Sequence, residues 1–526
     1  MLKKSLSAIL VLLILLSSLA GCKGKEEANT GQEEPSKTEE NEQASNNPSD
    51  TPATDGSDAK TEVDKGKPIR ILRGYVSFDI ESDNSLKVLE EGTGFQLEFD
   101  TLPEKNGLDK LNMIFASGQV DYDYIMLGGS DDDKSVYSTY AKKGLLADLT
   151  DLIPEYPNLS KVDPLAFDSV KVNGRVYAIG STGLPISKTT NFIRMDWLEK
   201  AGMNVPATRE ELYAVLKAFK EKDPGSNSTE NIPFTCGAGA TSTGISSTFG
   251  ILYDYEDRDG KIVNTCLLPE YKDYLAFMNK LYKEGILDND MPINTGTTIT
   301  SKITSGKVGY YNGWVDDAKD LLIAKRSEGK DGVYFEAIPP FKDEEGRQRT
   351  KTDKGLYGIG MIPKSSDNVA GVLAYVDAYL EPEAFEKMIH GEEGVDYTIQ
   401  DGKKVPTDKF NENRGNLSAI FPIQDGDAYY PLWLLRTRKV PEYTIIFEGV
   451  DKVSKGVQEM SVLAFAPAFD SISSDIKIVS EYASQEATKF IAGARSLDEF
   501  DTFVEEMKSK GVDKILEEYN KWYTSK

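Results

Sequence analysis

Apart from its many carboxylates, this sequence has few residues that could carry out acid–base, nucleophilic or metal chemistry. The 526 residues include 86 Asp and Glu but one histidine, His390, and three cysteines. One histidine cannot supply a multi-histidine zinc or iron site in a monomer, and a Ser-His-Asp triad would have to use it. Two carboxylates or a lysine could still catalyse a reaction. We expect no metal, no cofactor and no enzyme activity, although composition alone does not exclude an enzyme.

Cys22 is a candidate for lipid attachment. Two lysines at positions 3 and 4 precede an apolar run over residues 8–16, which is too short to span a bilayer. Residues 19–22 (Leu-Ala-Gly-Cys) resemble the lipobox of bacterial lipoproteins, in which the signal is cut before the cysteine and the thiol receives a diacylglycerol. This resemblance implies a signal peptide over 1–21 and a lipid anchor on the extracellular face of the cell membrane. A plain secretory signal is the alternative.

The segment after Cys22 is predicted to be a disordered acidic tether up to residue 66. Residues 23–66 contain five apolar residues and no aromatic ones, so folding could not bury enough surface to offset its entropic cost. As a flexible coil, this segment would separate its ends by roughly 35–40 Å. The remaining residues, 67–526, exceed the roughly 250–300 residues at which one core stops growing, so we expect at least two lobes.

The net charge narrows the possible partners. With 61 Lys and Arg against 86 Asp and Glu, the formal charge is −25, whereas nucleic-acid binding needs a basic surface. We therefore expect no nucleic-acid partner. Cys236 and Cys266 could form a disulfide outside the cell or could both be buried free thiols, and the sequence leaves the two possibilities open.

The first part of the folded region alternates short β-rich runs with helical patterns. Strands are predicted over 69–75, 95–99 and 122–127, and the intervening and following helices over 82–91, 108–117 and 135–143. Such alternation is typical of an α/β fold with parallel strands, in which ligands bind beyond the carboxyl ends of the strands. The loops after two of these strands make Asp79, Gly129 and Ser130 candidate ligand contacts. Their alternative role is in turns and helix caps.

The rest of the chain shows further elements. Thr208 and Glu211 predict a capping box before a helix over 209–222, and Asp259-Gly260 predicts a hairpin turn. The other predicted strands are 308–311, 333–338 and 356–362, and the other predicted helices are 271–284, 369–379, 496–507 and 513–522. Residues 131–133 (Asp-Asp-Asp) are predicted to be a solvated helix start and not a metal site.

An ordered set of segments resembles the extracellular solute-binding proteins of bacterial ABC importers, in the large lipoprotein branch associated with oligosaccharides. The segments that carry the resemblance are 140–146 (YAKKGLL), 148–150 (DLT), 192–202 (FIRMDWLEKAG), 205–208 (VPAT), 218–224 (AFKEKDP), 391–394 (GEEG) and 497–500 (LDEF). The resemblance implies a periplasmic-binding-protein-like fold in which two α/β lobes are joined by a hinge. It also implies a monomer that captures a carbohydrate between the lobes and delivers it to the transmembrane subunits of an ABC permease. Many members of this family have a calcium loop that here would fall in 223–231, but its few carboxylates lead us to expect no calcium.

Carbohydrates present C–H faces and hydroxyl groups, which suit aromatic platforms and polar side chains. Trp314 follows a predicted strand, and Trp433 lies in a predicted aromatic loop over 429–433. Arg73, near the end of the first strand, could meet a uronate carboxylate. The alternatives are core packing for Trp314, loop anchoring for Trp433 and a structural ion pair for Arg73. His390 could sense pH, but an ordinary position at a helix C-terminus is the simpler interpretation.

The leading hypothesis is therefore a surface-tethered carbohydrate-binding lipoprotein. Two alternatives remain. The same scaffold could bind a peptide or act as the ligand sensor of a membrane receptor, or the chain could be a secreted glycosidase that uses two carboxylates.

Overall fold

The computed structural model describes residues 63–225, 230–239, 244–330 and 334–525. The predicted signal, Cys22 and most of the predicted tether lie outside these residues. The last residues of the predicted tether, 63–66, lie inside the described ranges and contact the folded region. Val63 packs against the first hydrophobic core, and the Lys65 ammonium lies 4.9 Å from the centroid of the Phe95 ring.

The strands fall into two principal sheets and several two-stranded ribbons. Within the described residues, the strands are β1 Ile69–Arg73, β2 Leu97–Thr101, β3 Tyr124–Gly128, β4 Lys171–Val172, β5 Arg175–Val176, β6 Ala178–Thr182, β7 Thr189–Arg194, β8 Ile232–Phe234, β9 Tyr255–Arg258, β10 Lys261–Asn264, β11 Val308–Trp314, β12 Phe335–Ile338, β13 Thr350–Lys351, β14 Leu356–Met361, β15 Tyr397–Gln400, β16 Lys403–Pro406 and β17 Gln458–Glu459.

Helices cover both sheets. In chain order they are α1 Asn84–Thr93, α2 Gly107–Ala116, α3 Asp131–Lys142, α4 Pro164–Ser169, α5 Met195–Ala201, α6 Arg209–Lys222, α7 Pro269–Lys283, α8 Gly296–Thr304, α9 Val315–Ser327, α10 Val369–Tyr379, α11 Pro382–His390, α12 Asp408–Arg414, α13 Gly426–Thr437, α14 Pro441–Ser454, α15 Ser473–Ala492, α16 Phe500–Ser509 and α17 Val512–Tyr523.

The first sheet has the strand order β2-β1-β3-β14-β6. Strand β1, which lies between β2 and β3, is parallel to both, as the alternation of strands and helices predicts. By contrast, β14 is antiparallel to both of its neighbours, β3 and β6. The carboxyl ends of β1 and β3 therefore share an edge with the start of β14 and the end of β6.

The second sheet has the order β12-β7-β11-β8, and β7 is antiparallel to both β12 and β11. The predicted strand over 308–311 extends to Trp314, because pairing continues until Trp314 lies opposite Thr189. Side chains of adjacent residues in these strands alternate between the two faces of the sheet. Ile193 and Tyr310 accordingly belong to one hydrophobic core, whereas Phe192 and Tyr311 belong to another.

Within the part of the chain that the structure describes, the backbone passes between the two lobes three times. The first lobe is built around the first sheet and the second lobe around the second sheet, each with its own core. The three connections are residues 183–188, 339–355 and 438–440. Backbone hydrogen bonds join the first two connections: Gly183 N–H donates to Gly355 O at 2.9 Å, and Asp353 N–H donates to Ile186 O at 2.7 Å. The two-lobed α/β fold with a hinge between the lobes is thus confirmed.

Local predictions hold where side chains cap a helix or a turn. Helix α6 covers the predicted range, and the Thr208 hydroxyl accepts a hydrogen bond from Glu211 N–H at 3.2 Å. The predicted capping box is only half formed, because the Glu211 carboxylate accepts a hydrogen bond from Ala207 N–H at 2.7 Å and not from the N-cap residue. Asp259 and Gly260 connect β9 to β10 with φ angles of 55° and 79°, as a tight hairpin turn requires. His390 is the last residue of α11.

The prediction of a loop around Trp433 is wrong, because residues 429–433 lie within α13. Pro431 favoured a loop, since a proline inside a helix removes one hydrogen bond. Two features offset this loss. The Asp425 carboxylate caps the helix by accepting hydrogen bonds from Asp427 and Ala428 N–H, both at 3.2 Å, and Tyr429 is buried in the first core.

Candidate functional site

The edges of the two sheets next to the hinge form the candidate site. In the first lobe, β1 ends at Arg73 and β14 begins at Leu356 on the same edge. In the second lobe, β7 begins and β11 ends at the paired residues Thr189 and Trp314. Thr182, the end of β6, is separated from Thr189 by seven Cα steps, so even an extended connection spans about 25 Å at most. A ligand between these edges could contact both lobes.

Three aromatic side chains at these edges are exposed to solvent. The exposed fraction is 57% for Trp314, 50% for Tyr75 and 61% for Tyr357. Burying such a ring against a flat apolar face is favourable, so exposed aromatics beside a cleft can act as stacking platforms. Trp314 is thus not packed in the core, which was the alternative for this residue.

Sequence reasoning missed Tyr75 and Tyr357 as candidate contacts. Both fall within or at the end of predicted strands, where an aromatic residue normally indicates a buried position. The position of Tyr357 depends on the antiparallel direction of β14, which places the start of this strand at the hinge edge. No local signal in the sequence gives that direction.

Arg73 lies beside this edge and is partly buried. Its Nε donates to Gly74 O at 3.2 Å, while its Nη1 is buried and makes no hydrogen bond with the protein. Burial lowers the pKa of Arg73, and the nearby phenol of Tyr357 opposes this effect. The structural ion pair considered as an alternative for Arg73 does not occur within the described residues.

Gly129 and Ser130 have structural roles. A Cβ atom on Gly129 would lie 2.5 Å from the carbonyl oxygen of Leu356, so only glycine allows this close approach of β14. Ser130 is the N-cap of α3: its hydroxyl donates to the Asp133 carboxylate at 2.6 Å and accepts from Asp133 N–H at 3.2 Å. Both residues still lie at the hinge edge, so contact with a ligand stays a prediction.

Asp79 and Trp433 also make local contacts. The Asp79 carboxylate accepts a hydrogen bond from Ser82 at 2.8 Å, which is a turn interaction. The Trp433 ring is half-buried and packs edge-on against Phe447, with 4.9 Å between the ring centroids. Because Phe447 belongs to α14, this contact joins helices on either side of the third connection. Ligand roles for both residues remain predictions.

A small pocket lined by several polar residues, called the polar pocket below, adjoins the hinge in the second lobe. Its lining includes the hydroxyl and amide side chains of Thr189, Thr190, Asn191, Ser246, Ser247 and Asn312. The Asn191 amide oxygen accepts hydrogen bonds from Tyr310 Oη and Asn312 Nδ2, both at 2.9 Å. These interactions fix side-chain donors and acceptors of the kind that recognise hydroxyl groups.

A buried charge network ties the second connection to the second lobe. Arg349 Nη2 lies 2.8 Å from a Glu459 carboxylate oxygen and 3.7 Å from Glu256. The neighbouring Lys351 ammonium lies 5.0 Å from the Tyr253 ring centroid. Burial lowers the pKa of Lys351 and raises that of Asp254. Because β13 also pairs with β17, this part of the hinge is firmly attached to the second lobe.

Metal binding and membrane crossing each have structural requirements that can be compared with the described residues. No group of three or more His, Cys, Asp or Glu side chains is arranged to hold a metal ion there. The segment 223–231, where many members of the family have a calcium loop and where we expect no calcium, lies partly outside this region, at residues 226–229. None of the helices in the described ranges is long and apolar enough to cross a bilayer.

The sequence profile of the family described as "Bacterial extracellular solute-binding protein" matches residues 85–384, which is more than half of the chain. The chain belongs to this family. The match covers most of the first lobe and the hinge edge of the second sheet.

Curated relatives extend the similarity over nearly the whole chain. Lipoprotein LipO of Bacillus subtilis is 27% identical over 87% of this chain and 92% of its own length. The polygalacturonan/rhamnogalacturonan-binding protein YtcQ of the same organism is 28% identical over 83% of this chain and 87% of its own length.

Solved structures agree on the fold. An extracellular solute-binding protein from Bifidobacterium longum subsp. infantis superposes with a TM-score of 0.66 at 17% identity, covering 87% of this chain and 98% of that one. FusA of S. pneumoniae, in complex with fructo-nystose, gives a TM-score of 0.64 at 20% identity, with 87% and 99% covered.

Proposed function

We propose that this solute-binding protein is a surface-tethered lipoprotein that captures an oligosaccharide between its lobes and delivers it to an ABC permease. The observation that carries the proposal is the set of exposed rings on opposite sides of the hinge: Trp314 in the second lobe, and Tyr75 and Tyr357 in the first. A sugar bound between them would remove apolar surface from water on both lobes at once. Binding energy would then favour closure, since a ligand stabilises the state in which it makes more contacts.

The polar pocket supports a carbohydrate rather than a purely apolar ligand. Sugar hydroxyls need paired donors and acceptors, and the amide and hydroxyl side chains of Asn191, Asn312 and their serine and threonine neighbours are of this chemical type. The names of relatives support the same class of ligand. Besides YtcQ, a relative at 28% identity is a fructooligosaccharide ABC transporter substrate-binding protein of Streptococcus pneumoniae. These names include both acidic and neutral glycans, so they do not decide between the two.

The first 66 residues serve membrane attachment in this proposal. Residues 1–21 are the signal, Cys22 carries the lipid and residues 23–66 are the tether. Mass spectrometry of the protein from its host should find an N-terminal peptide that begins at diacylglyceryl-modified Cys22. The variant Cys22→Ser should release the protein from the membrane fraction. A mature N-terminus elsewhere would contradict the anchor without affecting the ligand assignment.

Calorimetry with a panel of neutral and acidic oligosaccharides tests the ligand class. We expect saturable binding of at least one glycan, closure of the lobes measured by small-angle X-ray scattering, and no cleavage of the bound glycan. Binding of peptides with no response to any glycan would favour the peptide-binding alternative. Release of shorter sugars would indicate a glycosidase.

A further inference from the structure

Arg73 is unusual among the arginines of this acidic chain. Most other buried or half-buried arginines of the described region pair with carboxylates, for example Arg194 with Asp196 at 2.6 Å and Arg414 with Asp396 at 2.6 Å. Arg436 and Arg438 instead donate hydrogen bonds to backbone carbonyl oxygens. Even Arg70, three residues earlier on the same strand, has Asp123 at 4.0 Å. Within the described ranges, no carboxylate lies within ion-pair distance of Arg73, and its Nη1 is buried without a hydrogen-bond partner.

This arrangement is unfavourable unless something else supplies the acceptor. A guanidinium group presents N–H donors in a planar fork, and a buried donor without an acceptor destabilises a protein. A carboxylate matches the fork with two parallel hydrogen bonds. The described residues include many Asp and Glu side chains, yet none of these occupies this place.

The surroundings of Arg73 suit a sugar ring. Tyr75 lies two residues further along the chain, Tyr357 lies close enough to Arg73 to affect its pKa, and both tyrosines are at least half exposed. A uronic acid unit combines a pyranose ring, which can stack on an aromatic side chain, with a carboxylate. A fully charged polymer would be repelled by the net charge of −25, but a single carboxylate contact close to Arg73 would not be.

We propose that Arg73, with Tyr75 and Tyr357, forms a subsite for the carboxylate of a uronic acid unit, so that the ligand of this protein is an acidic oligosaccharide. The proposal rests on the carbohydrate-binding function proposed above.

The experiment is calorimetry on the purified protein and three variants. The probes are tri- and tetrasaccharides that contain one galacturonate, glucuronate or mannuronate unit, the matching neutral sugars, and a hexaglutamate peptide. We expect a uronate oligosaccharide to bind more tightly than its neutral counterpart. Arg73→Gln should weaken uronate binding by about 10- to 100-fold and leave neutral binding within about twofold. The uronate affinity of Arg73→Lys should fall between those of the unmodified protein and Arg73→Gln, because lysine keeps the positive charge but lacks the planar fork of donors.

Arg70→Gln is the matched control, because it removes a positive charge from the same strand away from the hinge edge. It should leave both affinities unchanged if the protein is folded. Equal binding of acidic and neutral sugars, or equal losses for both in Arg73→Gln, would overturn the subsite and leave the carbohydrate function intact. Binding of hexaglutamate in preference to uronates would also overturn it. Failure of every glycan to bind would overturn the carbohydrate function, and the subsite with it.

Discussion

The ammonium group of Lys142 lies 2.6 Å from the carboxylate of Asp470 and links the two lobes. Lys142 is the last residue of α3 in the first lobe, whereas Asp470 follows Phe469, whose ring packs against the core of the second lobe. The same carboxylate oxygen accepts a hydrogen bond from Ser138 of α3 at 3.0 Å. This contact crosses the hinge and belongs to one particular arrangement of the lobes.

Removing the charge of Asp470 should loosen that arrangement. Because the pair is partly exposed, Asp470→Asn should lower the free energy of unfolding by less than about 1 kcal/mol. We expect a broader distribution of distances between spin labels on the two lobes, measured by electron paramagnetic resonance. Glu505→Gln removes a surface ion pair with Lys508 within α16 and should leave the distribution unchanged. An unchanged distribution in Asp470→Asn would show that this pair does not restrain the hinge.

Trp314 should report ligand binding by its fluorescence. Its ring is 57% exposed, so stacking on a sugar would change its environment. Trp314→Ala should weaken binding by about 1–2 kcal/mol, whereas Trp314→Phe should keep most of the affinity and lose the fluorescence change. Trp522→Phe, in the last helix, should keep both the affinity and the fluorescence change. Full affinity in Trp314→Ala would remove this residue from the site.

Gly129→Ala should destabilise the first lobe. The added Cβ would meet the backbone oxygen of Leu356 at 2.5 Å, so β14 would have to move, at a cost of about 1–3 kcal/mol. Chemical denaturation measures the loss. The control is Gly296→Ala at the start of α8, where no atom lies within 4 Å of the added Cβ and stability should hardly change. Equal stability of both variants would contradict the close packing.

The single histidine should make stability depend on pH. Burial lowers the pKa of His390, and so does the Lys404 ammonium, which lies 2.8 Å from Nδ1; Glu386 opposes them. His390 Nε2 lies 3.3 Å from Leu432 O, a geometry that suits a neutral ring with its proton on this nitrogen.

Below about pH 6.5 the unfolded chain takes up a proton that the folded protein resists, so stability falls as the pH decreases through this region. One proton limits the slope to about 1.4 kcal/mol per pH unit. His390→Gln should lack this contribution. Chemical denaturation of both proteins between pH 8 and pH 5 gives the free energy of unfolding at each pH, and the difference between the proteins is the contribution of His390. If the two free energies change with pH in parallel, the pKa of His390 does not differ between the folded and unfolded states.

Cys236 and Cys266 should be unreactive in the native protein. Both are buried free thiols in the second lobe, and burial raises the pKa of each. The thiolate is the reactive form, so Ellman's reagent should react slowly until the protein unfolds. In Cys22→Ser protein, two thiols should then appear in guanidinium without a reductant. Finding none would indicate a disulfide.

The sequence predicts elements that are determined locally. The start of α6 depends on Thr208 and Glu211, and its apolar face on residues spaced three or four apart, so its bounds follow from nearby residues. The hairpin turn at Asp259-Gly260 is likewise determined by the residues of the turn itself. Arg73 and Trp314 were identifiable because each stands at the end of a predicted strand.

Other features depend on contacts between distant segments. The direction of β14 is set by pairing with β3 and β6, which are far away in sequence, so the exposure of Tyr357 could not be predicted. The helix around Pro431 forms because Tyr429 is buried among residues from other segments, which outweighs the local effect of proline. Local patterns therefore predict the elements, and long-range pairing determines which side chains reach the hinge edge.

The position of β14 also affects how the protein is made. This strand lies between β3 and β6, yet β6 ends at residue 182 and β14 is not synthesised until residues 356–361. Until then, the partner edges of β3 and β6 are both unfilled. The first lobe therefore cannot mature while only the N-terminal third of the chain has been translated, and the nascent protein needs protection from edge-to-edge association during that delay.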